Sequence, residues 1–269
     1  LEIANETGGL FIHAYNDYGV LCGQGTIALE MLRANPNLDI ILVPVGGGGL
    51  ISGIALAAKA IKPDIRVIGV EPEGAAGMRL SLERGEVTVL SRVSTCAEGV
   101  AVAEVGDLTF DIVRKYVDGI ITVSEDEIME NLLSLIEKHK FVAETSGVLP
   151  LAALSHLSEL NKNIGCVISG GNIDVVTISS MINSGLVSRG RIFDFTVELP
   201  DKPGQLVLVA KILADQHANV IGLDHDQFKA KDRLNGVVLE VTCETNGHDH
   251  IQRIIDAMHE NGFEIHRQY

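Results

Sequence analysis

Ile40-Ile41-Leu42-Val43-Pro44-Val45-Gly46-Gly47-Gly48-Gly49-Leu50-Ile51-Ser52-Gly53-Ile54-Ala55-Leu56-Ala57-Ala58 is the stretch that decides the fold. Its first part, through Val45, is a continuous apolar and partly β-branched run. That is the mark of a strand buried on both faces. From Leu50 onward the pattern is a helix of small and aliphatic residues. Between them stand glycines with no side chains, so backbone N–H groups can point into one concavity. The helix start adds unpaired donors and a positive dipole end. Such a place favours a phosphate dianion. The plainer use is a tight turn where the backbone passes close to a neighbour. One or two glycines suffice for that, and each further glycine costs backbone entropy.

Around this stretch, strand and helix patterns alternate. Leu10-Phe11-Ile12-His13 is expected as a short strand, followed by a loop from Ala14 to Gly23 and a helix from about Gln24 to Ala34. After Pro63-Asp64, Arg66–Val70 is another buried strand, which completes a βαβ unit. Helices are expected near Gly74–Arg84 and over Asp107–Val117, then a strand over Gly119–Val123. Ser124 and Glu127 form a capping box that opens a helix to about Lys138. A helix over Glu144–Leu160 and a short strand Cys166-Val167-Ile168 follow, closed by Ser169-Gly170-Gly171-Asn172. Alternation of this kind predicts an α/β fold, an open and mostly parallel sheet with helices on both faces.

Near Arg189 the pattern changes. Arg191 to Leu199 alternates with period two, the pattern of a half-exposed strand. Pro200–Gly204 is a turn and Gln205–His217 an amphipathic helix. Strand patterns over Asn219–Lys229 and Val237–Cys243 are joined by a polar turn at Lys231–Gly236. A helix over His248–Asn261 and a last strand at Phe263–His266 complete a βαββαβ, ferredoxin-like order. The chain therefore divides into residues 1–183, a linker 184–190 and a second domain 191–269. His248-Asp249-His250 is expected to be a solvated helix cap, since three polar residues at a helix start commonly are.

The chain has 269 residues, enough for two domains, with Gly 28, aromatics at 4% and no Trp. A net charge of -15 opposes non-specific contact with nucleic acid or an anionic membrane. No apolar run approaches the length of a membrane span. Cys22, Cys96, Cys166 and Cys243 are far apart and form no CxxC pair, which points to reduced thiols and a cytoplasmic protein. Leu1–Glu6 reads as the end of a helix, so the chain is expected to be entered partway through a domain.

Several motifs in order now carry a resemblance. Gly23-Gln24-Gly25-Thr26, Gly46–Leu50, Ala97-Glu98-Gly99, Glu144-Thr145-Ser146-Gly147 and Ser169-Gly170-Gly171-Asn172 resemble the fold-type-II enzymes that use pyridoxal phosphate. Within that superfamily the chain looks like a threonine dehydratase (threonine ammonia-lyase). The tail from Phe193, with Asp201-Lys202-Pro203-Gly204-Gln205-Leu206, resembles an ACT domain. The resemblance implies roles by matched position. Gly46, Gly47, Gly48, Gly49 and Leu50 would hold the cofactor phosphate. Ser169 would meet the pyridine nitrogen, Gly99 would line the ring, and Glu144 would stand near it. A hydroxyl at the ring nitrogen does not force its protonation, which suits elimination of a β-hydroxyl. Taken alone, Ser169 could cap its glycine turn and Glu144 could be a solvated helix-start acid. Glu98 stands where an aspartate is more usual. In related racemases the Glu71–Gly77 segment supplies a divalent metal site, but Gly77 stands where a second carboxylate is expected, so no metal is expected.

Such enzymes form a Schiff base through a lysine in a Ser-Phe-Lys-x-Arg-Gly type motif. None of the ten lysines (59, 62, 115, 138, 140, 162, 202, 211, 229 and 231) has that context. No catalytic residue is therefore assigned, and this chain alone is expected not to catalyse. The implied reaction of the family is conversion of L-threonine to 2-oxobutanoate and ammonia. Serine dehydratase or racemase activity, or a non-catalytic amino-acid sensor, are the alternatives. The ACT resemblance implies a small amino-acid effector bordered by Gly204, Gln205, Asn219 and Ile221, and a homo-oligomer, dimer or tetramer. A tail that only mediates dimerisation is the plainer alternative.

Overall fold

The computed structural model describes residues 2–158, 161–226 and 236–268. The chain forms two units, Leu1–Asp174 and Val175–Tyr269.

In the first unit the elements are α1 (Glu2–Thr7), α2 (Tyr18–Ala34), β1 (Ile40–Pro44), α3 (Gly49–Ile61), β2 (Arg66–Pro72), α4 (Gly77–Arg84), α5 (Asp107–Tyr116), β3 (Gly119–Val123), α6 (Glu125–Ser134), α7 (Thr145–Ala152) and β4 (Ile164–Cys166). The strands pair in parallel in the order β3-β2-β1-β4. β1 is buried along its whole length, which is why its sequence shows no alternation. Successive side chains enter opposite layers. Ile41, Val43 and Val45 pack with Ala28, Ile51 and Ile54, whereas Ile40 and Leu42 pack with Ile128, Leu149 and Ala152.

Local chemistry explains most boundaries. Ser124 opens α6 with both bonds of the capping box to Glu127. α2 begins at Tyr18, earlier than the expected Gln24, because Asp17 caps it by accepting from the N–H groups of Gly19 and Val20. Leu10–His13 is not a strand. It has no pairing partner among the described residues, and Leu10, Phe11 and Ile12 are exposed. β4 lies two residues earlier than expected, drawn by the pairing of Ile164 with Ile40. α6 gives way to a π turn over Leu135–His139 before Lys138 is passed. α7 is followed by a 3-10 turn at Ala153–His156, and the expected helix end at Leu160 lies outside the described residues.

The second unit contains α8 (Val175–Ser188), β5 (Ile192–Pro200), α9 (Gln205–Asp215), β6 (Asn219–Asp226), β7 (Gly236–Glu244), α10 (His248–Glu260) and β8 (Ile265–Arg267). Its sheet is antiparallel in the order β6-β7-β5-β8. Phe193, Phe195, Val197 and Leu199 point inward from β5 onto Val209, Leu239, Val241 and Ile254. Residues 184–188, expected in a linker, continue α8 instead. The expected strand residues 227–229 and the turn from Lys231 to 235 lie outside the described residues.

His250 departs from the solvated cap expected of it. It is buried, its Nδ1 accepts from the Asn246 N–H at 3.0 Å, and its Nε2 meets the Gln216 carbonyl at 2.7 Å. A proton on Nε2 satisfies both contacts, and it supplies a partner to the carbonyl of the residue that caps the C-terminal end of α9.

Candidate functional site

β1 sits where the strand order reverses: β2 and β3 lie on one side and β4 on the other. Loops leaving β1 and β4 at their carboxyl ends diverge there, and an open parallel sheet offers its ligand crevice at such a point. A cavity of 240 Å³ occupies this position, lined by Gly46, Gly47, Gly48, Gly49 and Leu50 and also by Gly99, Glu144 and Ser169. The residues singled out by sequence in the first unit thus surround one space.

α3 starts at Gly49, with Gly48 as its N-cap at φ 93 and ψ -1. That left-handed conformation is natural to glycine. The free N–H groups of the first helical turn stand at the cavity wall. The Gly47 carbonyl accepts from Thr109 Oγ1 at 2.6 Å and from the Gly106 N–H at 3.2 Å. Tyr15 presses on the same loop: a Cβ on Gly47 would run into its ring, and one on Gly49 would come within 2.9 Å of its Cα. Tyr15 Oη donates to the Glu104 carbonyl at 3.0 Å, and Asn16 Oδ1 accepts from the Leu108 N–H at 3.0 Å. Tyr15 also lines the cavity. Sequence reasoning missed it, because its role depends on contacts with a loop distant in the chain.

Glu144 takes the N-cap position of α7 without capping it through its side chain. Its carboxylate instead accepts from Ser146 Oγ at 2.5 Å. A Cβ on Gly99 would lie 2.5 Å from Glu144 Oε1, so only a bare backbone passes there. Thr145 Oγ1 donates to the Cys96 carbonyl at 2.7 Å, and the Cys96 N–H donates to Glu125 Oε2 at 2.7 Å. These bonds fasten the Gly99 turn to α6 and α7. Burial, reinforced by Glu125, pushes the Cys96 thiol up to about 12.

One acid lies buried outside this cavity. Glu71, in β2, accepts from the N–H groups of Met78 at 2.8 Å and Arg79 at 2.9 Å. Burial pushes its carboxyl up to about 7 despite those two donors and the Arg79 charge. Among the described residues no group of three or more His, Cys, Asp or Glu side chains could hold a metal ion. No helix of the described residues is long and apolar enough to cross a membrane.

The family model described as "Pyridoxal-phosphate dependent enzyme" matches residues 1–170. The chain belongs to the pyridoxal-phosphate dependent enzyme family. A relative within it, the L-threonine ammonia-lyase of Thermotoga maritima, is 40% identical over 98% of this chain and 66% of its own length. The serine racemase of Arabidopsis thaliana is 46% identical over 65% of this chain and 54% of its own length. Among solved structures, the processed threonine deaminase isoform 2 of Solanum lycopersicum aligns with a TM-score of 0.64 at 37% identity, covering 68% of this chain and 54% of that one. The chain thus spans less than two thirds of the length of these family members.

In the second unit, the four residues singled out are not brought together within one copy. Gly204 is the N-cap of α9 at φ 94, beside Gln205. Ile192 and Asn219 both pair with Glu244, while Pro200 pairs with Gly236. Asn219 therefore lies at the opposite end of the sheet from the Pro200–Gly204 turn, roughly 26 Å away at strand rise. Its side chain donates to Glu244 Oε2 at 2.8 Å, and Ile221 is exposed on the same strand.

Proposed function

We propose that this chain is the cofactor-phosphate-binding portion, with a regulatory tail, of an L-threonine ammonia-lyase that yields 2-oxobutanoate and ammonia. One observation carries the reading: a side-chain-free loop and helix start share a cavity with Gly99, Glu144 and Ser169. The fit is chemical. Peptide N–H groups and a helix N-terminus suit a phosphate, and a hydroxyl and a carboxylate stand on other walls for the ring. When bound, pyridoxal phosphate supplies an electron sink beside the amino-acid α-carbon. Gly46 to Gly49 would grip its phosphate, Ser169 would donate to or accept from the ring nitrogen, and Glu144, steadied by Ser146, would flank the ring. Tyr15 and Leu50 would keep water from one side.

No lysine lines the cavity among the described residues, so this chain would hold the cofactor without covalent attachment and would not turn over threonine alone. The βαββαβ order of the second unit, with exposed Val220, Ile221 and Leu223 on an edge strand, supports an ACT domain that pairs with a second copy. Gly204 and Gln205 of one copy could then meet Asn219 and Ile221 of another around a small amino-acid effector. Four free thiols support a cytoplasmic setting. The identity to a serine racemase favours serine chemistry as the second reading.

The test mixes the chain with pyridoxal phosphate and L-threonine, with and without the part of the Thermotoga maritima relative that this chain does not match, and measures 2-oxobutanoate. Turnover only in the complemented mixture is the expected result. Steady turnover by the chain alone would sink the lysine argument. Turnover of L-serine but not L-threonine would replace the substrate.

A further inference from the structure

Thr109 lies on α5, far from the glycine loop in sequence, and is fully buried. It does not line the cavity. Its hydroxyl contacts two carbonyls, Gly47 at 2.6 Å and Gly106 at 2.9 Å. The Gly106 carbonyl already accepts from the Phe110 N–H at 2.8 Å. The hydroxyl proton is therefore best used on Gly47, the shorter contact. Thr109 also packs behind Gly48, where a Cβ would come within 2.8 Å of both its Cβ and its Oγ1.

The peptide bond joining Gly47 to Gly48 is trans, since there is no cis peptide bond among the described residues. In a trans peptide the C=O and the following N–H point in opposite directions. Fixing the Gly47 carbonyl onto Thr109 thus turns the Gly48 N–H away from α5 and toward the cavity. A tetraglycine loop has many backbone states open to it, so something outside the loop must choose the one with donors facing in. We propose that Thr109 is a positioning residue that sets the orientation of the Gly47–Gly48 peptide, and so the strength with which this loop binds a phosphate monoester. The inference rests on reading Gly46–Gly49 as a phosphate site. Removing the hydroxyl leaves the Gly47 carbonyl with only the longer 3.2 Å bond from the Gly106 N–H, one donor short, and loosens the hold on this peptide.

The experiment compares pyridoxamine phosphate with pyridoxamine, neither of which forms an imine with surface lysines. Both are titrated by fluorescence into the wild-type chain, Thr109→Val and Thr109→Ser, alongside thermal melts. The readout is the ratio of the two Kd values, which isolates the phosphate. Wild type should prefer the phosphorylated ligand. Thr109→Val should lose about fivefold to tenfold of that preference, the worth of one hydrogen bond, while Thr109→Ser keeps it. A purely structural role would lower the melting temperature but leave the ratio unchanged, and that result overturns the inference while the phosphate reading stands. A wild-type ratio near one overturns both. If Thr109→Val does not fold, Thr109→Cys, with a thiol that donates weakly, is read by the same ratio. A wild-type ratio there overturns the inference and a reduced one supports it.

Discussion

Ser146 donates its hydroxyl to Glu144 Oε1 at 2.5 Å, two residues apart at the start of α7. The carboxylate is thereby held over Gly99 instead of capping its own helix. Ser146→Ala removes a donor from a half-buried carboxylate and should cost about 1–2 kcal/mol of stability, read from the urea midpoint. Glu144→Gln keeps an acceptor in place and should cost about half as much. Equal losses for the two would show that charge, not this bond, sets the geometry.

Gly47→Ala drives a methyl group into the ring of Tyr15. The expected loss is about 1–3 kcal/mol, as for overpacking elsewhere. In a Tyr15→Ala background the same change should cost less than half of that, because the obstructing ring is gone. Additive effects in this double-mutant cycle would remove Tyr15 as the reason for the glycine.

Glu71 makes stability depend on pH. Burial raises its folded carboxyl from 4.5 to about 7. The folded state therefore binds more protons than the unfolded one between those values. Its contribution is fully present below about 4.5 and is lost as pH rises through about 7. Glu71→Gln should flatten this part of the curve of melting temperature against pH. An unchanged slope in that variant would show that the titration belongs to another group.

The thiols should separate sharply in reactivity. Cys22 is exposed. Burial pushes Cys166 up to about 11 and, with Asp194, Cys243 up to about 12. With Cys96 similarly raised, these three carry little thiolate at neutral pH. A disulfide reagent should label one thiol quickly in the native chain and the other three only after unfolding. Cys22→Ser should abolish the quick phase.

Much of this was readable in the sequence where one local rule governs. β1 and β2 are buried on both faces, so continuous apolar runs revealed them, and the Ser124–Glu127 box marked its helix because capping needs only neighbours in sequence. Leu10–His13 misled because a strand needs a partner, which no local pattern reports. The position of β4 was misjudged for the same reason, since pairing with Ile40 decides it. The glycine loop, Gly99, Glu144 and Ser169 were recognisable as spaced motifs. Thr109 and Tyr15 were not, because they act through contacts between segments distant in the chain.

The first-unit sheet divides its labour between its two ends. The cavity gathers loops that follow the carboxyl ends of β1 and β4. Toward the opposite end lies the exposed Pro63–Asp64 turn ahead of β2. A reporter peptide spliced between Pro63 and Asp64 would therefore sit a full strand length from the cavity. That makes this turn the natural handle for immobilising or labelling the protein while ligand binding is measured.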